Sequence, residues 1–215
     1  MPIVNIALLC ANISVFLFEM TLSPHMMKAF LMANATIPAR FSAFLAGRID
    51  FHSAFLPLVT SMFLHAGFMH IAGNMLFLWI FGDNVEDFFG HFTYLLFYLV
   101  CGVGSSLLHV LVNFGSPLPA LGASGAISGV MGAYLVLYPG SRIMTLVVIF
   151  LVPIPAVFIL GYWFLLQFIS GVTSLGAVGP MVGGVAWWAH IGGFLMGVVL
   201  TKMARSSRSE IRRVA

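Results

Sequence analysis

Six apolar stretches, roughly residues 3–22, 62–81, 92–113, 122–138, 155–172 and 184–203, constrain this chain more than any other feature. Each approaches the length of about 20 residues that crosses the hydrocarbon core of a bilayer as a helix. Lipid offers no partner to a backbone N–H or C=O, so such a stretch must close its own hydrogen bonds. The composition agrees: 61% of residues are hydrophobic and 7% are charged, against about a quarter charged in a soluble domain. The expected fold is an all-α polytopic membrane protein, a six-transmembrane-helix bundle over residues 1–203. A basic, flexible cytoplasmic tail is expected over 204–215.

Six crossings put both termini on one side. Lys202, Arg205, Arg208, Arg212 and Arg213 crowd the C-terminal end, so that side is expected to be the cytoplasm, with the cluster anchored to anionic membrane lipids. Arg142 falls on the same side, whereas Lys28, Arg40 and Arg48 lie in a long outer loop, which makes the bias moderate. The net charge of +3 is concentrated in the tail and gives no sign of a nucleic-acid partner. Cys10 and Cys101 both fall in apolar runs and provide no disulfide framework. The first run lacks a preceding Lys or Arg and is read as a retained span rather than a signal peptide. With no organelle presequence in view, a bacterial inner membrane is the expected location. Residues 24–57 mix Phe41, Phe44, Phe51 and Phe55 with four charged residues and read as a loop partly in the interface. Residues 143–151, ahead of Pro153 and Pro155, read as a membrane-surface piece or an early start of the fifth span.

Strongly polar groups inside spans are costly, which makes each a functional candidate. The second span carries His65, His70 and Asn74, the fourth opens at Ser124, and the sixth opens around His190. Spans two, four and six all enter from the outer face, so His70, Asn74, Ser124 and His190 share one depth. A serine among glycines is usually a packing residue, and a lone histidine is usually a hydrogen-bonded strut. Here the packing reading applies to the glycines: Gly125 with Gly129, and Gly193 with Gly197, form small-xxx-small pairs that let backbones approach. Together with Gly122 they are expected to press spans four and six together and bring Ser124 towards His190.

A serine hydroxyl becomes a nucleophile when a neighbouring base takes its proton. His190, with an ordinary pKa of about 6.5, is the candidate base. Attack on an amide creates an oxyanion that needs fixed donors. Asn74, His70 four residues earlier on the same helix face, and the Ser124 backbone N–H at a helix N-terminus are the candidates. Asp83, Glu86 and Asp87 sit at the opposite end of span two, and nothing aims Glu19 at His190. The assignment is therefore a Ser–His dyad, a reduced form of triad logic. No His-Glu-x-x-His is present, and His65 and His70, five apart, are expected on different helix faces. No metal and no cofactor are expected.

Gly122-Ala123-Ser124-Gly125 resembles the G-x-S-G motif of rhomboid intramembrane serine proteases. Ala189-His190-Ile191-Gly192-Gly193, continuing to Gly197, resembles their A-H-x-x-G-x-x-x-G motif, and His65, His70 and Asn74 resemble the second-span H-x-x-x-x-H-x-x-x-N. The resemblance implies Ser124 as nucleophile, His190 as general base, and His70, Asn74 and the Ser124 amide as the oxyanion hole. It further implies a six-helix fold with an outward-opening, water-filled cavity, and single-span transmembrane proteins as substrates, cut in or near the outer end of the span. Two departures stand out. Many members carry an aromatic residue four positions after the nucleophile, where this chain has Ser128. Some carry Trp-Arg shortly before span two, where this chain reads Leu56-Pro57.

A substrate helix has its backbone groups already bonded and must be unwound before attack, so substrates weakened by Gly or Pro near the cut are expected. The glycine-rich connection 171–184 is expected to cap the cavity beside a fifth span weakened by prolines. The alternative function is a catalytically silent relative that binds membrane clients; such proteins typically lack the serine or the histidine, and both are present here. A transporter would want charged or broken helices near the midplane, of which there is little sign.

Overall fold

The computed structural model describes residues 1–175 and 185–214. The chain runs through α1 (Ile3–Glu19), four short helices α2 (Pro24–Asn34), α3 (Pro38–Leu45), α4 (Phe51–Phe55) and α5 (Pro57–Thr60), then α6 (Phe68–Phe89), α7 (His91–Val112) and α8 (Ser124–Leu137). A two-stranded ribbon, β1 (Arg142–Val147) and β2 (Phe150–Pro155), leads into α9 (Ala156–Leu175) and α10 (Trp187–Val214).

By length and composition two described helices, α7 and α9, suffice to cross a membrane, and the bent pair Phe51–Phe63 and α6, kinked by 79°, would make a third. The other expected spans take different forms. α1 and α8 are apolar but shorter, at 17 and 14 residues. α10 is a 28-residue helix whose second half is rich in Lys, Arg and Ser. The expected second span began at residue 62; the helix begins at Phe68, after a 3-10 turn at Ser61–Phe63.

Three further expectations are corrected. The fold is not all-α, because residues 142–155 form an antiparallel hairpin with Arg142 opposite Pro155 and Val147 opposite Phe150. β-branched residues favour the strand, and a two-stranded ribbon has open edges on which Pro153 and Pro155 need no N–H. The 24–57 segment is not a plain loop: Pro24, Pro38 and Pro57 each open a helix, where a missing N–H costs nothing. Phe55 stacks on Phe51 at 4.3 Å and meets Phe41 and Phe44 edge-on. The Asp50 carboxylate caps α4, accepting from the Ser53 amide at 2.6 Å, and this bond holds its pKa below the ordinary value. Finally, the expected flexible tail continues α10 as helix to Val214. No Gly or Pro follows Gly197, and Lys and Arg propagate helix well. Arg205 donates to Val136 O near the C-terminal end of α8 at 2.7 Å, a favourable place for a cation. Of the expected 171–184 cap, residues 171–175 finish α9, and 176–184 lie outside the described residues.

α8 is the central element. Ten of its 14 residues are buried, and α6, α7 and α10 pack around it. Leu78, Phe81, Val85, Tyr94, Tyr98 and Val130 fill the core between them. At the end opposite Ser124, the buried Glu86 accepts from the amides of Val4 and Asn5 at 2.9 and 2.7 Å. A carboxylate there also complements the positive end of α1. Asn5 in turn donates to Leu78 O and accepts from the Tyr94 hydroxyl, tying α1 to α6 and α7.

Candidate active site

Glycine packing decides where Ser124 and His190 meet. A Cβ on Gly193 would overlap the Gly125 carbonyl oxygen, and a Cβ on Gly197 would overlap that of Gly129. A Cβ on Gly129 would in turn lie 3.2 Å from Gly193 O. α8 and α10 therefore touch backbone to backbone along both glycine pairs, the contact that small residues permit in lipid. Gly132, one turn beyond the motif, extends the seam: a Cβ there would overlap Phe194 O. Gly122, grouped with these glycines from the sequence, has a different part. It precedes α8 at φ +121°, a region that favours glycine, and a Cβ there would lie 2.7 Å from His70 Nε2.

Ser124 is the first residue of α8 and His190 lies in the first turn of α10. With the seam closed, Ser124 Oγ and His190 Nε2 are 2.8 Å apart. His70 Nδ1 accepts from the Ala66 amide at 3.4 Å, so the ring proton lies on Nε2, the nitrogen facing Gly122. Asn74 is 8% exposed, and its Nδ2 is buried with no hydrogen-bond partner among the described residues. A buried amide donor left unpaired is costly, which marks Asn74 as a donor held ready. A cavity of about 560 Å³ is lined by His70, Asn74, Ser124, Ser128, Trp163 and His190 among others. Ser124, His190 and the side chains of His70 and Asn74 thus face one space. That is the constellation needed for attack on a carbonyl and for holding the resulting oxyanion.

Two residues stand elsewhere. His65 precedes α6 rather than lying on another face of it; it is buried, and its ring meets that of His70 at 5.2 Å edge-on. Its backbone N–H donates to the Glu19 carboxylate at 3.3 and 3.4 Å. Glu19, at the same end of the bundle as the site, is thus turned to the chain before α6. Ser128 donates to Ser124 O at 2.6 Å and so braces the first turn of α8.

The sequence reading overlooked two α9 residues. Gln167 Oε1 lies 2.8 Å from His190 Nδ1, and the Trp163 ring lies 5.8 Å from the His190 ring at a 36° tilt. The signal was present: Gln167 is a strongly polar residue inside an apolar span, one helical turn from Trp163.

A Rhomboid domain model matches residues 52–207. The chain is 31% identical over 156 residues to "Rhomboid protein 1, mitochondrial" of Saccharomyces cerevisiae, covering 70% of this chain and 42% of that protein. It is 37% identical over 136 residues to "Rhomboid protease GluP" of Bacillus subtilis, covering 63% and 26%. It is 34% identical over 162 residues to "RHOMBOID-like protein 6, mitochondrial" of Arabidopsis thaliana, covering 72% and 47%. The chain thus spans less than half the length of each of these relatives.

Proposed function

This chain belongs to the rhomboid family, and on that premise we propose that it is an intramembrane serine endopeptidase working through a Ser124–His190 dyad. The observation that carries the reading is the 2.8 Å contact between Ser124 Oγ and His190 Nε2 at the wall of a cavity. Attack by Ser124 Oγ on a peptide carbonyl passes its proton to His190 Nε2 and places negative charge on the carbonyl oxygen. Asn74 Nδ2, His70 Nε2–H and the Ser124 amide are the donors that receive that charge, the last at the positive end of α8. Collapse breaks the C–N bond as His190 returns the proton to the leaving amine. Water, deprotonated by the same histidine, then releases the acyl group.

The proposed substrates are single-span membrane proteins, cleaved in or near the outer part of the span where Gly or Pro weakens the helix. The proposed architecture is a six-crossing bundle of α1, α6, α7, α8, α9 and α10, with the short α1, α8 and bent α6 entry accommodated by locally thinned lipid. The basic end of α10 faces the cytoplasm on the positive-inside bias, with a bacterial inner membrane as the proposed location. The test is cleavage of a model single-span substrate by purified wild type and Ser124→Ala. Product from wild type alone is expected; equal cleavage by both, or none by either across several substrates, overturns the assignment.

A further inference from the structure

Each ring nitrogen of His190 makes one hydrogen-bonding contact among the described residues, and only one of the two is with the nucleophile. The other, Nδ1 to Gln167 Oε1 at 2.8 Å, joins α10 to α9. A neutral imidazole carries one proton, and the partner of one nitrogen decides which nitrogen holds it. A carboxamide oxygen only accepts, so Nδ1 carries the proton and Nε2 is left bare towards Ser124. With the amide turned the other way, Gln167 would donate to Nδ1 and put the proton on Nε2. That tautomer cannot take the hydroxyl proton of Ser124.

Packing supports the same pairing. Gln167 is 7% exposed, one of four buried residues on a helix that otherwise faces outwards. An apolar side chain there would avoid the cost of burying an amide, so the amide's presence calls for a partner, and His190 is that partner. Trp163 and Gly171 lie one turn to either side of it. A Cβ on Gly171 would sit 3.0 Å from Ile191 Cδ1, so α9 is drawn close to α10 at this level. Ser128 is turned to Ser124 O, and among the described residues no hydrogen bond joins it to His190. His70 on α6 and His109 on α7 are ionisable neighbours of His190, and among the described residues no carboxylate bonds to it. We propose, building on the protease reading, that Gln167 is a positioning residue that selects the productive tautomer of His190. Trp163 forms the ring's side wall, so α9 supplies the orientation that α8 lacks at Ser128.

The test uses the full-length protein in detergent or liposomes, with kcat, KM and the pH profile of kcat/KM measured on one single-span substrate. Thermal unfolding checks each variant. Gln167→Leu removes the acceptor and is expected to lower kcat about tenfold or more, with KM little changed. Gln167→Glu keeps an acceptor oxygen and adds charge. It is expected to restore most of kcat while moving the acid limb of the profile to higher pH, because a carboxylate stabilises the imidazolium. A wild-type kcat in folded Gln167→Leu, or an acid limb unmoved in Gln167→Glu, overturns the proposal even if Gln167→Leu proves too unstable to assay. Failure of the protease reading is a separate result: equal cleavage by wild type and Ser124→Ala.

Discussion

Gly193 and Gly125 meet with the place of a Cβ on the first occupied by the carbonyl oxygen of the second. Ser124 directly precedes Gly125 and His190 lies three residues before Gly193, and their 2.8 Å separation depends on that closeness. Packing and chemistry are thus one property of α8 and α10.

Gly193→Ala is therefore expected to push α10 off α8. Overpacking of this kind costs about 1–3 kcal/mol, and separating base from nucleophile lowers cleavage as well. Gly161→Ala on α9, where nothing lies within 4 Å of the added Cβ, is the neutral control. Unfolding transitions and cleavage rates of the two variants, compared with wild type, check this.

Asn74→Ala is expected to lower kcat about 100- to 1000-fold, the usual loss for one oxyanion donor. Its Nδ2 has no partner among the described residues, so its removal breaks no bond they make and stability is expected to hold. A loss appearing in KM with kcat intact would contradict the donor role.

Ser124→Ala, His190→Ala and the double variant are expected to fall to the same residual rate, since residues that act as one unit are non-additive. Single-turnover assays of all three decide it. A double variant far below both singles would mean that the two side chains act separately.

Glu86→Ala is expected to destabilise without touching chemistry. It removes the acceptor of two amides in the first turn of α1, at about 1.5–3 kcal/mol for bonds to a charged group. Glu86 lies twelve residues from Asn74, about 18 Å along α6. A lowered unfolding midpoint with wild-type kcat in the folded fraction is the predicted pattern.

Gly122→Ala tests the turn before the nucleophile. At φ +121° a side chain is strained, and its Cβ would meet His70 Nε2. Cleavage is expected to fall more than stability, because the displaced group is a proposed oxyanion donor.

Much of the site was legible in the chain itself. A 3.6-residue period puts His70 and Asn74 on one face, paired small-xxx-small glycines join α8 to α10, and the four polar groups expected at one depth line one cavity. Each of these depends on spacing within one helix or on topology. The hairpin at 142–155 was not legible, because an apolar run beside prolines reads alike as strand, interface helix or span. The fate of Glu19 was hidden for another reason: its partner is the amide of His65, and the chain before α6 bends only in the folded molecule.

By itself the sequence determined that this chain lives in lipid, where its long apolar helices fall to within several residues, and which residues can be nucleophile, base and donors. Length, apolarity and helical spacing are local quantities. The tertiary structure alone decided that Gln167 and Trp163 flank His190, that Ser128 turns back to its own helix, and that Gly122 packs on His70. Those contacts depend on how each helix is rotated about its axis against its neighbours, and side-chain packing across the whole bundle sets that rotation.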